Sequence, residues 1–224
     1  REYDNLFDRL QYLEKKYPHL SSENSPVKRV GSDLSSELPE VRHTVPVLSL
    51  DKVYTFSELI KWIEKTRKAS SRDISFTIEE KIDGISIVLY YENGMLKRAV
   101  TRGNGETGND VTENVRTIGS VPLLLSEPAS VAVRGEIYLP LESFNRINQS
   151  LETRYANPRN LAAGTIRRIK SSEAGKIPLN IFVYEGFFEG REKHLFKNHH
   201  EILEKLIELG FRVSRGIEIF AENR

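Results

Sequence analysis

In the stretch Thr77 to Gly84, TIEEKIDG, the residues Glu79, Lys81 and Asp83 stand at every second position, so that one amine lies between two carboxylates. SFTI before the triplet is β-branched and aromatic, and ISIVLYY follows Gly84, which predicts strand on both sides of Lys81. Alternate side chains of a strand share a face, and the three charges are expected to project together. A cross-strand salt bridge on a wet face is the plain account of such a triplet. The sharper account is a ligand site, because Lys81 stands ahead of a glycine, where backbone can bend and a ligand phosphate can approach closely.

Nucleophilic chemistry by an amine so placed would be demanding. Two residues along a strand span about 7 Å, where a unit charge is worth roughly 2 kcal/mol at an effective dielectric of about 20. Each carboxylate therefore helps to hold a proton on Lys81, yet only the neutral amine attacks. A divalent cation near the amine is the most direct remedy, since it also draws off charge developing on a phosphate.

Glu-x-Lys-x-Asp-Gly resembles the motif of the covalent nucleotidyltransferases: DNA ligases, RNA ligases and mRNA capping enzymes. The resemblance implies that Lys81 attacks the α-phosphorus of a nucleotide and becomes a lysyl-nucleotide phosphoramidate, and Lys81 is then expected to be activated by Mg²⁺ once nucleotide is bound. A narrower resemblance rests on EYDNLFDRLQYLEKKYP, SPVKRVG, RHTVPVLSLDKVYT and NPRNLAAG, which are similar to stretches of the bacterial NAD-dependent DNA ligases. It implies that residues 1–36 end the small helical domain that binds nicotinamide mononucleotide, and that 37–224 are a C-terminally incomplete adenylation domain. The fold implied is α+β, of the nucleotidyltransferase type, with antiparallel sheets flanked by helices.

The elements that must position Lys81 are read in chain order. Residues 1 to 17 carry a helical apolar stripe that ends at Pro18, which by default packs. By resemblance, Tyr3 and Asp4 on this helix help to hold the nicotinamide half of NAD. Because this chain begins after further family residues for that half, the nicotinamide end is expected to bind poorly. Residues 19 to 45 are polar and rich in Ser, Pro and Gly, a surface connector. Beyond it Ser49 and Leu50 line the nucleotide site by resemblance. Thr55 to Ala69 opens on a Thr-x-x-Glu capping box and reads as a scaffold helix whose Trp62 packs or covers the sheet.

Asn93-Gly94 is a strong hairpin signal, and the return strand from Met95 carries Arg102 back towards Lys81. The resemblance gives Arg102 a contact with the nucleotide. Gly103 to Gly108 spells G-x-G-x-x-G, but it follows a hairpin strand and precedes a short polar helix, so a dinucleotide-binding fold is rejected in favour of a mobile loop. Asp110 to Glu113 has capping-box spacing. Ser130 to Leu139 is a strand with Arg134 and Glu136 on one parity, a charged pair that edge strands often carry. By resemblance, Glu136 contacts the ribose or orders the metal shell.

In YANPRNLAAGTIRR, small residues let a helix pack closely and arginines cluster beside it. The resemblance turns Arg159 and Arg167 towards the DNA backbone near a nick. Leu179 to Phe188 reads as a central strand, and by resemblance Tyr184 stacks on adenine while Glu79 meets its exocyclic amine. The family commonly has glycine directly after this tyrosine; here Glu185 intervenes before Gly186, which puts the local backbone in question. Asn198 to Gly210 is a helix capped at both ends, its adjacent His199 and His200 pointing apart and not holding a metal. FRVSRGIEIF reads as a last strand.

Composition bounds the function. The chain has 224 residues, a formal net charge of +1 and no cysteine, which excludes disulfides and thiolate zinc and argues against a free-standing nucleic-acid grip. No apolar run is long enough to span a membrane, no signal peptide opens the chain, and Arg1 in place of methionine suggests a piece of something longer. No D-G-x-V-x-K motif follows Phe220, so the lysines that the resemblance implies there are missing and the chain by itself is expected to adenylate slowly or not at all. The parent is expected to be a cytoplasmic, nucleoid-associated monomer that seals nicked double-stranded DNA in replication and repair, using NAD and Mg²⁺. The alternatives are an ATP-dependent ligase or capping-type enzyme, or a non-catalytic nucleotide-binding fragment.

Overall fold

The computed structural model describes residues 2–22, 25, 38–50, 52–70, 74–190, 195–214 and 218–220, without the side chains of 2–5, 7, 8, 11 and 218–220. Helix α1 (Glu2–Lys16) is followed by a 3₁₀ turn at Pro18–Leu20. Leu6, Leu13 and Tyr17 of the expected stripe are exposed, so the expected packing partner is not among the described residues. The connector contains a short strand, β1 (Glu40–Arg42), which composition hides because only three residues pair. Its residues 26–37, and with them the 36/37 boundary, lie outside the described set.

Helix α2 (Phe56–Ala69) opens on the expected capping box, Thr55 accepting from the Glu58 amide while the Glu58 side chain accepts from the Thr55 amide. Trp62 packs on Phe76, 5.6 Å between ring centroids, so α2 covers β2 (Phe76–Ile78) and not the large sheet. The hairpin of β3 (Ile85–Glu92) and β4 (Met95–Thr101) turns through Asn93 and Gly94, at φ 53° and 80°, values that only such residues adopt readily. The G-x-G-x-x-G segment forms a turn that runs into a short strand. The Asn104 side chain accepts from the amides of Glu106 and Thr107, and β5 (Thr107–Asn109) pairs with β1. Helix α3 (Thr112–Arg116) lacks the expected capping box; Asp110 instead accepts from the Thr112 amide two residues on and faces Arg98.

Next come β6 (Val131–Tyr138), α4 (Leu141–Gln149), α5 (Pro158–Ile166), α6 (Ser171–Ala174), β7 (Asn180–Phe188), α7 (His199–Glu208) and β8 (Glu218–Phe220). The main sheet is antiparallel in the order β4-β3-β6-β7. Two strand expectations are thereby corrected. β6 is interior, so Arg134 and Glu136 are not an edge device, and β7 is an edge strand, met at Val183 by a parallel bridge from Val213. The predicted last strand shortens to β8, which pairs with β2; residues 215–217 lie outside the described set.

Alternation divides the sheet into two faces. Ile87, Leu89, Val133, Ile137, Ile181 and Val183 point to one apolar cluster beneath α4, α5 and α7. Each such side chain stabilises the fold by about 1.5–3 kcal/mol when fully buried. The opposite face carries only a small apolar group around Val47, Val88 and Ala132, and there the polar residues of β3, β6 and β7 gather. No described helix is long and apolar enough to cross a membrane.

Candidate active site

Lys81 does not stand on a strand. β2 ends at Ile78 and β3 begins at Ile85, so residues 79–84 bridge the two-stranded β2–β8 sheet and the main sheet. Residues 79–84 carry no strand, and strict alternation lapses. Glu79 and Lys81 line one cavity, Lys81 and Asp83 a second, and Ile82 lines both. Gly84 also differs from expectation. A Cβ there would meet the Ile137 carbonyl oxygen at 2.1 Å, so the missing side chain serves the close approach of β6, not that of a ligand.

The two cavities, of about 540 and 710 Å³, adjoin and have the size of ligand pockets. Leu48, Ser49, Leu50, Lys81, Glu136 and Tyr184 line both, so the exposed Lys81 stands at the neck of one cleft. The first chamber is closed by apolar surface from Pro46, Phe182, Val183 and Phe187, and Glu79, Glu80, Arg134, Glu185, His199 and Ser214 are among its polar groups. The second is bordered by Asp83, Ser86, Arg102, Arg159 and Arg167, a mostly basic wall.

Each side chain owes its place to a local cause. Arg102 follows β4, and its amide donates to Ser86 O at 3.0 Å, which closes the hairpin end beside Lys81. Ser86 pairs with Glu136 across β3 and β6, and its hydroxyl lies 3.1 Å from Tyr184 Oη. Between β6 and β7 the register steps from Arg134↔Glu185 to Gly135↔Val183 and leaves Tyr184 unpaired in a bulge. Bulges re-aim side chains, and this one gives the site both Tyr184 and Glu185. The unusual Glu185 thus has a place: it accepts from Arg134 at 2.8 Å, while Gly186 lets Ile202 and Leu206 of α7 pack close.

Electrostatics follow the same geometry. Burial holds the Glu136 carboxyl above its usual range, opposed by the positive charges of Lys81, Arg159 and Arg102 and by a hydrogen bond from the Gly84 amide. Burial likewise raises Tyr184, against the Ser86 hydrogen bond. Arg159 lies 3.4 Å from Asp83 at the exposed rim, and Arg167 is exposed at the C-terminal end of α5. Tyr3 and Asp4 fall on α1, but their side chains lie outside the described set. Among the described residues no group of three or more His, Asp or Glu is gathered to hold a metal.

Two contributors escaped the sequence. Arg134 is buried, lies over the Tyr184 ring and donates to Leu48 O at 3.0 Å, binding β6, β7 and the 48–50 segment together. His199 reaches Glu79, Nε2 to Oε1 2.8 Å, while its neighbour His200 turns to Glu204. The charged pair Arg134 and Glu136 within an apolar strand was a signal for the first. Nothing local announced the second, which depends on a contact 120 residues apart.

By themselves, fold and site define a mixed helix and antiparallel-sheet domain with a lysine between an apolar chamber and a basic one. A family model described as the NAD-dependent DNA ligase adenylation domain matches residues 35–224, and one described as the DNA ligase-like N-terminal NAD+-binding domain matches 1–31. The chain belongs to the NAD-dependent DNA ligase adenylation domain family. It is 49% identical over 218 residues to a DNA ligase of Borreliella afzelii, covering 97% of this chain and 32% of that protein. To a DNA ligase of Leptospira interrogans it is 47% identical over 212 residues, covering 95% and 30%. The chain thus spans about a third of the length of the curated relatives it matches. A solved RNA ligase from Naegleria gruberi aligns over 93% of this chain and 56% of that one, at 12% identity and a TM-score of 0.33, a likeness too slight to bear on the fold.

Proposed function

We propose that this chain is the adenylation module of an NAD-dependent DNA ligase, with a nucleotidyltransferase fold over residues 37–224 and the end of a nicotinamide mononucleotide-binding domain in 1–36. The observation that carries the reading is the position of Lys81 at the neck shared by the apolar and basic chambers. A dinucleotide needs that division: an apolar slot for a purine and cations for its phosphates.

Adenine rests against Tyr184, on the face that Arg134 leaves, with Glu79 accepting from its exocyclic amine. Ser49 and Leu50 line the nucleotide, and Asp83, Arg102 and Glu136 surround ribose and phosphate. Tyr3 and Asp4 hold the nicotinamide half. The neutral Lys81 amine attacks the α-phosphorus; a phosphorus–nitrogen bond forms, the pyrophosphate bond breaks, and nicotinamide mononucleotide leaves with the electron pair. AMP then passes to the 5′-phosphate of a DNA nick, and the 3′-hydroxyl displaces it. Arg159 and Arg167 meet the DNA backbone.

Mg²⁺ fits the donor set, because this ion is usually bound through one or two carboxylates, waters and substrate phosphates rather than an all-protein cage. Asp83 and Glu136, both on the basic chamber, would hold it. When bound it supplies charge neutralisation at the phosphate. The test is labelling of the full-length ligase with adenylate from NAD and from ATP. Label from NAD alone supports the reading, and label from ATP alone moves the protein to the ATP-dependent ligases or capping-type enzymes.

A further inference from the structure

His199 is the first residue of α7, behind the N-cap Asn198. A histidine is an odd choice there, since helix N-termini favour acidic side chains and disfavour cations. Its proton affinity is nevertheless raised, first by the hydrogen bond to Glu79 and further by the charges of Glu79 and Glu185, against the cost of burial. The contact that offsets the helix field is therefore the one made across the cleft. His200, next along the chain, turns away to Glu204, so one histidine of the pair reaches the site.

The consequence lies in Glu79, whose carboxylate is mostly sheltered and lines the apolar chamber beside Tyr184. An ionised carboxylate is acceptor-only, and with Oε1 engaged by His199 Nε2 the other oxygen is left for a ligand. A 6-amino purine offers that oxygen an N–H at the position-6 edge. A 6-oxo purine offers a carbonyl oxygen there and its only nearby donor at N1, which a carboxylate free to swing could still reach. We infer that His199 is a specificity-determining positioning residue: by anchoring one oxygen of Glu79 it fixes the other against the 6-position and makes the site reject 6-oxo purines. This rests on the reading of Glu79 as the adenine partner.

The experiment is equilibrium titration of the full-length ligase with AMP and with IMP, which differ at position 6. Wild type is expected to bind AMP at least about tenfold more tightly than IMP, the discrimination of a site built around a hydrogen bond. His199→Leu is expected to bring the two within about twofold, largely by improving IMP binding, because the freed carboxylate can turn to N1. His199→Gln, which still donates, is expected to restore most of the preference, a rescue that a merely structural role does not require. Glu79→Gln is expected to favour IMP through its amide donor. A preserved AMP-to-IMP ratio in His199→Leu, with tight AMP binding, overturns the inference and leaves the adenylation site standing. Failure of wild type to bind either nucleotide overturns both.

Discussion

Arg134 lies over the ring of Tyr184, 5.6 Å from its centroid, and its guanidinium also donates to Glu185 at 2.8 Å and to Leu48 O at 3.0 Å. One buried cation therefore fixes the bulged residue, its neighbour and the segment that roofs both chambers. Arg134→Met keeps most of the volume but leaves Glu185 without its partner in a half-buried place. It is expected to cost about 2 kcal/mol in urea unfolding and to weaken AMP binding, whereas unchanged AMP affinity would detach Arg134 from the site.

Gly84 tests the path from sheet to nucleophile. With a Cβ directed at the Ile137 carbonyl, Gly84→Ala must push β3 and β6 apart, at an expected cost of about 2 kcal/mol or more. In a chain of this size the melting midpoint should fall by roughly 4–8 °C. Lys81 should lose adenylation alongside, since it stands three residues away on the same bridge.

Glu136 supplies a pH dependence. Its folded-state carboxyl is raised, chiefly by burial, so the folded chain holds that proton more firmly than the unfolded one. The stability it contributes is present in acid, below the unfolded value, and is lost as pH rises through the folded value. Glu136→Gln, which can still accept from the Gly84 amide, should therefore be more stable than wild type near neutrality and level with it in acid. Since the group is partly solvated, the gain should stay under about 1 kcal/mol. Adenylation should be lost, a trade expected where a site keeps an ill-placed charge for its chemistry.

Arg159 and Arg167 border the basic chamber from the two ends of α5. In the full-length ligase, changing either to alanine should weaken binding of nicked DNA and reduce the slope of log affinity against log salt by about 0.9. A weaker complex with an unaltered slope would mean that neither meets a phosphate.

Local signals were legible where the physics is local. Thr55 with Glu58 and Asn93 with Gly94 act within a few residues, and each forms the cap or turn that its spacing implies. Lys81 was misplaced on a strand because the pairing that ends β2 at Ile78 involves β8, about 140 residues away, which no local pattern reports. The same holds for the Tyr184 bulge, which depends on the register of β6 against β7, and for the pairing of His199 with Glu79. The residues named for the cleft came from motif resemblance, whereas Arg134, Ser86 and His199 emerge only once strands are set side by side.

The role of Lys81 is tested most directly by intact-mass and peptide mapping of the full-length ligase after incubation with NAD and Mg²⁺. One adenylate should be found on the peptide that contains Lys81, removed by acid treatment and absent from Lys81→Ala. An adduct that persists in Lys81→Ala or maps to another lysine would contradict the assignment.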